Sequence, residues 1–269
     1  MENIGLPIFD AHCHIYPDKI APRAIEGIKS FYDIETNSLD GTVNGLIRSG
    51  NAAGITGFLV HSVSTTPQQV RSINEFISSE VKKHKEFVGF GTIHPDSENI
   101  EEDVEHLISL GLKGVKLHPD FQQFGLDTRK AVEIGSILEG RLPVLVHCGD
   151  SRYNFSNPPQ MRKFLDELPN LTVIGAHFGG WGKWDEAAEI LSGSKNLYVD
   201  SSSTFYLNSL ENTKRLVKKF GCERILFGTD YPMWEPKPDL DRLHELGLTF
   251  EEERMILYEN AAKLLDLEE

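Results

Sequence analysis

The stretch IFDAHCH, residues 8–14, reads as a β-strand that begins apolar and ends in two histidines, His12 and His14. Side chains two apart on a strand project to one face, so His12 and His14 point the same way, with Asp10 one step deeper. Two imidazoles on one face of one strand are placed to chelate a single cation. Seven further short stretches, β-branched or aromatic-rich and mostly bounded by Gly, Pro, Asn or Asp, have the same character. They are TGFLVHSV (56–63), EFVGFGTIH (86–94), LKGVKLH (112–118), PVLVHCG (143–149), LTVIGAH (171–177), NLYVDSS (196–202) and RILFGTDY (224–231).

Between them the apolar residues recur at helical spacing. In 69–84 the stripe is Val70, Ile73, Phe76, Ile77 and Val81; in about 98–110 it is Ile100, Val104, Leu107 and Ile108. Segments 128–139, 158–167, 184–192 and 209–220 behave alike, and a last helix opens at Thr249 with Glu252 three residues on, a capping-box pattern. Eight strands alternating with helices imply a parallel sheet covered by helices. An open doubly wound sheet usually stops at about five or six strands, so the expected fold is a single-domain, somewhat distorted (β/α)8 TIM barrel over residues 1–269. The alternative is a miscounted seventh strand and an open sheet. The long gap at 15–55 is expected to hold an extra loop or helix.

In such a barrel chemistry lies at the C-terminal strand ends. Seven of the ten histidines fall there: His12, His14, His61, His94, His118, His147 and His177. Lys116 shares the inward parity of His118, Asp200 and Ser201 close strand seven, and Asp230 closes strand eight. Strict alternation would turn Val144, Val146, Ile174, Ala176, Ile225 and Phe227 outward to the helices. Cys13 and Cys148, beside the polar residues but of opposite parity, would do the same, which leaves little for a cysteine hydrolase. Taken singly, a histidine at a strand end is more often a packing residue. The combination is more specific, because buried ionisable groups are costly unless paired or bound to metal.

The balance of 27 basic against 41 acidic residues, a net charge of −14, argues against nucleic acid or an anionic membrane as partner. Three scattered cysteines form no disulfide framework, no stretch approaches a membrane span, and the N-terminus lacks a signal-peptide pattern; a cytoplasmic protein is expected. The expected partner is a small molecule, and a homodimer is the commonest assembly.

FDAHCHIYP, GVKLHP, VLVHCGD, IGAHFGG, FGTDYP and ENAAKLL, running from residue 9 to 265, resemble the amidohydrolase superfamily, specifically its amidohydrolase-related group of TIM-barrel metal-dependent hydrolases and decarboxylases. The resemblance implies metal ligands at His12, His14, His147 and Asp230, with His177 beside the metal-bound water as acid/base together with Asp230. It implies one divalent ion, most often zinc, with manganese, cobalt or iron also compatible. In members with two ions a carboxylated strand-four lysine forms the bridge, and Lys116 has the position for it; His147 and His177 would then both hold the second ion.

Bound metal lowers the pKa of its water to about 7 and polarises a carbonyl, which gives hydrolysis of an amide, ester or lactone. The same residues could run a non-oxidative decarboxylation of a small aromatic or unsaturated acid, and a barrel that binds a ligand or metal without turnover is the third reading. Arg152 is the candidate anion contact, and His61, His94, His118, Tyr153, Trp181, Trp234, Asp200 and Ser201 are placed to line the mouth.

Overall fold

Strand-forming residues occur where the periodicity places them, in a computed structural model that describes residues 6–36 and 39–267. The strands are β1 (Phe9–His14), β2 (Gly57–His61), β3 (Phe87–Gly89), β4 (Gly91–Thr92), β5 (Val115–Leu117), β6 (Val144–Val146), β7 (Val173–Gly175), β8 (Leu197–Asp200) and β9 (Ile225–Leu226). β3 and β4 are the halves of the expected third strand, separated by Phe90. The helices are α1 (Ala21–Tyr32), α2 (Val43–Ala53), α3 (Val70–Lys83), α4 (Ile100–Ser109), α5 (Pro119–Gln122), α6 (Arg129–Leu138) and α7 (Pro158–Glu167). They continue with α8 (Trp184–Leu191), α9 (Thr204–Leu207), α10 (Leu210–Phe220), α11 (Pro236–Glu245), α12 (Phe250–Arg254) and α13 (Asn260–Leu265). The extra segment after β1 thus supplies α1 before the crossover helix α2.

All ladders are parallel, in the orders β1-β2-β3 and β4-β5-β6-β7-β8-β9. Backbone hydrogen bonds run between the edges of these two sheets. On one side Phe90 donates to the Val60 carbonyl at 3.0 Å and Lys113 to that of Gly89 at 2.8 Å. On the other, Ala11 donates to the Phe227 carbonyl at 2.8 Å, Asp230 to His12 at 3.0 Å and His14 to Tyr231 at 2.7 Å. This is the TIM-barrel architecture, with its last side joined through the loop after β9 rather than through a long ladder.

Two apolar layers hold it. The outer one, between strands and helices, contains Cys13, Val60, Val144, Val146, Cys148, Ile225 and Phe227. The inner one takes side chains from strands around the cylinder, Phe9, Ala11, Leu59, Phe90, Leu145, Ile174, Ala176 and Leu226, and is closed from below by Ala261 and Leu265 of α13. Each fully buried Leu or Ile there is worth about 1.5–3 kcal/mol in transfer free energy. The floor is positioned by a capping box at Thr249 and Glu252, a π-turn at Met255–Glu259, and Asn260 Nδ2, which donates to the carbonyls of Cys222 and Ile225, each at 2.7 Å.

Strict alternation fails at two points, both beneath the mouth. Ile174 and Ala176, expected to face the helices, belong to the inner layer, while Val173 faces outward. His177 nevertheless reaches the interior because the chain turns left-handed there, with φ of 57° at His177 and 53° at Phe178. On β1, Ala11 lies in the inner layer and yet His12 reaches the mouth; the register shift between Asp10 and Cys13 accommodates the extra residue.

Candidate active site

The polar strand ends meet in a partly open cavity at the barrel mouth. Its lining includes His14, His118, His147, His177, Ser203 and Asp230, with walls of Ile28, Tyr32, Ile34, Phe121, Trp181 and Met233. Deep in it, His12 Nε2 lies 3.3 Å from His14 Nε2 and 3.3 Å from Asp230 Oδ1, and His14 Nε2 is 3.6 Å from that same oxygen. Lys116 Nζ is 3.2 Å from His12 Nε2. The His61 ring stands 4.4 Å from that of His14, with both its nitrogens buried and without a hydrogen-bond partner among the described residues. His12, His14 and His61 each offer a nitrogen within 4.8 Å of the others, a group that could hold a metal ion.

A second pair stands beside it, His147 Nδ1 and His177 Nε2, 3.1 Å apart. The structure therefore brings His147 to His177 and does not group it with the strand-one pair. His147 also belongs to a group with His118 and Asp120 that could hold a metal.

The hydrogen bonds around these rings settle where their protons sit. A carbonyl only accepts, so His177 Nδ1 donates to Ser202 at 3.0 Å and His147 Nε2 to Gly149 at 3.1 Å. The remaining nitrogens of the pair are both lone pairs, and they face each other. His12 is oriented likewise, with Nδ1 2.8 Å from Asp200 Oδ2, which leaves the Nε2 lone pair toward His14 and Asp230. Ser202 Oγ ties the rings together: it donates to Asp200 Oδ1 and accepts from His12 Nδ1 at 3.1 Å and His177 Nδ1 at 2.8 Å.

Facing acceptors repel unless a cation lies between them. Burial pushes His12, His14, His61, His118 and His147 well below the usual histidine range and His177 down to about 4, so a shared proton is disfavoured. Two nitrogens about 2.1 Å from one tetrahedral ion lie roughly 3.4 Å apart, close to both spacings seen. The residues present therefore fit a divalent ion. Burial also raises Asp230 to about 6, against the hydrogen bond from Ser203 Oγ at 2.6 Å, and lowers Lys116 to about 8.

The other expected contacts divide. His118 and Trp181 line the cavity. Asp200 is enclosed behind it, accepting from the His177 backbone as well as His12, and Ser201 bonds to Gly228 between strands. His94 Nδ1 accepts from the Asp96 backbone at 3.1 Å, away from the lining. Trp234 donates to Ser203 Oγ at 2.8 Å. Arg152 grips Asp150 through Nε at 3.0 Å and Nη2 at 2.7 Å, and Tyr153 stacks 5.6 Å from Phe31. Tyr32, Asp120, Phe121, Ser202 and Ser203 escape sequence reasoning. The run of serines after Asp200 was a visible signal, whereas Tyr32 lies in a segment with no strand-end marker.

The sequence profile of the amidohydrolase family matches residues 9–267. No curated protein matches this chain. Among solved structures, an uncharacterised TIM-barrel protein from Bordetella bronchiseptica superimposes with a TM-score of 0.81 at 20% identity, covering 97% of this chain and 99% of that one. A dihydroxybenzoic acid decarboxylase from Polaromonas, with bound manganese and the inhibitor 2-nitroresorcinol, gives 0.74 at 16% identity and 97% of both chains. A Pseudomonas putida protein assigned as a 2-pyrone-4,6-dicarboxylic acid hydrolase gives 0.68 at 17%, covering 98% of this chain and all of that one. At these identities the superpositions speak for the fold, while the profile match over nearly the whole length shows that the chain belongs to the amidohydrolase family, a family of enzymes.

Proposed function

We propose that the protein is a divalent-metal-dependent hydrolase acting on an amide, ester or lactone of a small molecule. The observation that carries this reading is the convergence at the barrel mouth of the inward nitrogens of His12, His147 and His177, whose outer partners leave them as lone pairs, with His14 Nε2 3.3 Å from that of His12. His12, His14 and Asp230 would seat the ion, zinc first and manganese next. When bound, it supplies an activated water and a polarised carbonyl.

The chain's own groups do the rest. Asp200 holds His12 with its lone pair inward. Ser202 fixes the tautomer of His177, so that Nε2 is an acceptor for a proton taken from water. Asp230, raised to about 6, can accept a proton near neutral pH and pass it to a leaving group. Phe121, Trp181 and Met233 give the cavity apolar walls.

Two features favour variants of this reading. The aromatic walls suit a planar acid, which supports decarboxylation as the second reaction. The pair His147–His177, with Lys116 nearby, would seat a second ion if Lys116 carries a carboxylate.

Metal analysis tests the seat: His12→Ala combined with His14→Ala should abolish binding at that seat, and unchanged stoichiometry refutes it. His177→Asn should retain metal and lose most turnover, about 10²-fold or more; near-wild-type rates on esters, lactones and aromatic acids would remove His177 from proton transfer. Release of carbon dioxide rather than formation of a new carboxylate separates the two reactions.

A further inference from the structure

Helix α1 roofs the cavity with little anchorage of its own: of its 12 residues only Ala21 is buried. Its last residue, Tyr32, reaches the histidines. The phenol oxygen lies 2.8 Å from His118 Nε2 and 3.4 Å from His147 Nε2. Both of those nitrogens are donors. His147 Nε2–H already faces the Gly149 carbonyl, and His118 Nδ1 accepts from the Phe121 backbone at 3.3 Å, which leaves the proton of His118 on Nε2. The Tyr32 oxygen therefore accepts, and its own O–H has no acceptor among the described residues. It sits in the cavity wall between Phe121 and Trp181, whose rings lie 5.8 Å and 5.1 Å from its own.

Arg152 holds this arrangement from above. Its guanidinium takes both carboxylate oxygens of Asp150, and Nη1 donates to the carbonyl of Phe31, the residue before Tyr32. The same group lies over the rings of Phe31, Tyr32 and Tyr153 at 4.9, 5.4 and 5.3 Å. Asp150 is itself fixed by its backbone N–H on Asn157 Oδ1 at 3.1 Å. With each of its three nitrogens engaged by Asp150 or Phe31, Arg152 is a clamp on the roof rather than a free anion contact.

We propose that Tyr32 is a substrate contact, donating its phenolic proton to an oxygen of a planar substrate, and that Arg152 is the positioning residue that keeps it there. This rests on the reading of the cavity as the active site. It defines the ligand as a flat body carrying an acceptor oxygen on the side facing α1, recognised by a neutral donor rather than by a salt bridge.

The test uses manganese-loaded protein and 2-nitroresorcinol, a planar, oxygen-rich probe followed by its absorbance and by tryptophan fluorescence. Tyr32→Phe should load metal as the wild type does and bind the probe about tenfold more weakly, the size of effect expected for one lost hydrogen bond in a buried site. Binding within twofold of wild type overturns the contact, as does a metal-loaded wild type that takes up no probe at millimolar concentration. Arg152→Met should weaken the probe similarly and speed amide hydrogen exchange in residues 21–32 at least tenfold, with Phe9–His14 unchanged and Arg152→Lys recovering part of both. Unaltered exchange in α1 overturns the clamp. Failure of the wild type to load metal counts against the functional reading instead, and the exchange comparison still decides the role of Arg152.

Discussion

Asp200 never touches the cavity, yet its carboxylate decides what the cavity can hold. One oxygen takes the His12 Nδ1 proton; the other accepts from the backbones of His177 and Ser202 and from the Ser202 hydroxyl. Asp200→Asn would replace an acceptor-only group with one that also donates, so that His12 loses its fixed tautomer. Metal affinity, measured by competition with a chelator, should fall by about 10–100-fold while the fold persists. Affinity equal to wild type would detach Asp200 from ligand orientation. The sequence placed Asp200 at a strand end beside Ser201 but could not say which of the neighbouring serines turns toward the rings. That is Ser202, in the turn between the end of β8 at Asp200 and the left-handed Ser203, whose φ is 55°.

Among the elements, the loops after β6 and β7 press backbone against backbone. Gly149 has a φ of 81°, and a Cβ there would stand 2.4 Å from the Trp181 backbone nitrogen. Trp181 in turn donates to the Cys148 carbonyl at 2.7 Å, so the two loops are locked back to back. Gly149→Ala combines a left-handed cost of roughly 1–2 kcal/mol with a backbone clash. The melting temperature should drop by roughly 5 °C or more, and probe binding should weaken because Trp181 moves. A melt superimposable on wild type would show that this junction yields easily. The helices were readable from their stripes and, at Thr249, from the cap, because those bonds are local. For α1 the gap at 15–55 left room for a helix but not its place over the cavity, where Arg152, on a loop 120 residues away in the chain, holds it by a contact that no local pattern encodes.

For the whole molecule, the cost of gathering so many titratable groups shows in its response to pH. Seven histidines, at 12, 14, 61, 94, 118, 147 and 177, titrate below the ordinary value when folded. Their stability contribution is present above about 6.5 and is lost as pH falls toward their folded values. Asp10 and Asp230 at about 6, Asp120 at about 7 and Asp239, pushed up by burial, act in the opposite sense, stabilising below 3.8 and losing that contribution as pH rises through those values. Between 6.5 and 4 the histidines outnumber the carboxyls. The metal-free protein should therefore melt lower at pH 5 than at pH 7, and added metal at pH 7 should raise the melting temperature in proportion to the logarithm of its concentration. A metal-free melt that holds steady or rises on acidification would mean that the rings are not buried in neutral form.

By itself the sequence determined the alternation of strands and helices and the rim on which the histidines gather; that His12, His14, His147, His177 and Asp230 share one chemistry is what its family motifs imply. The alternation and the rim follow from side-chain period and strand-end position, which are local properties. Only the tertiary structure decided which nitrogen of each ring looks inward, that His147 pairs with His177, and that Arg152 spends its charge on Asp150 beneath a tyrosine roof. Proton placement and cross-loop contacts depend on partners tens to hundreds of residues away, and a bulge or a left-handed turn reverses a face without leaving a mark in the periodicity.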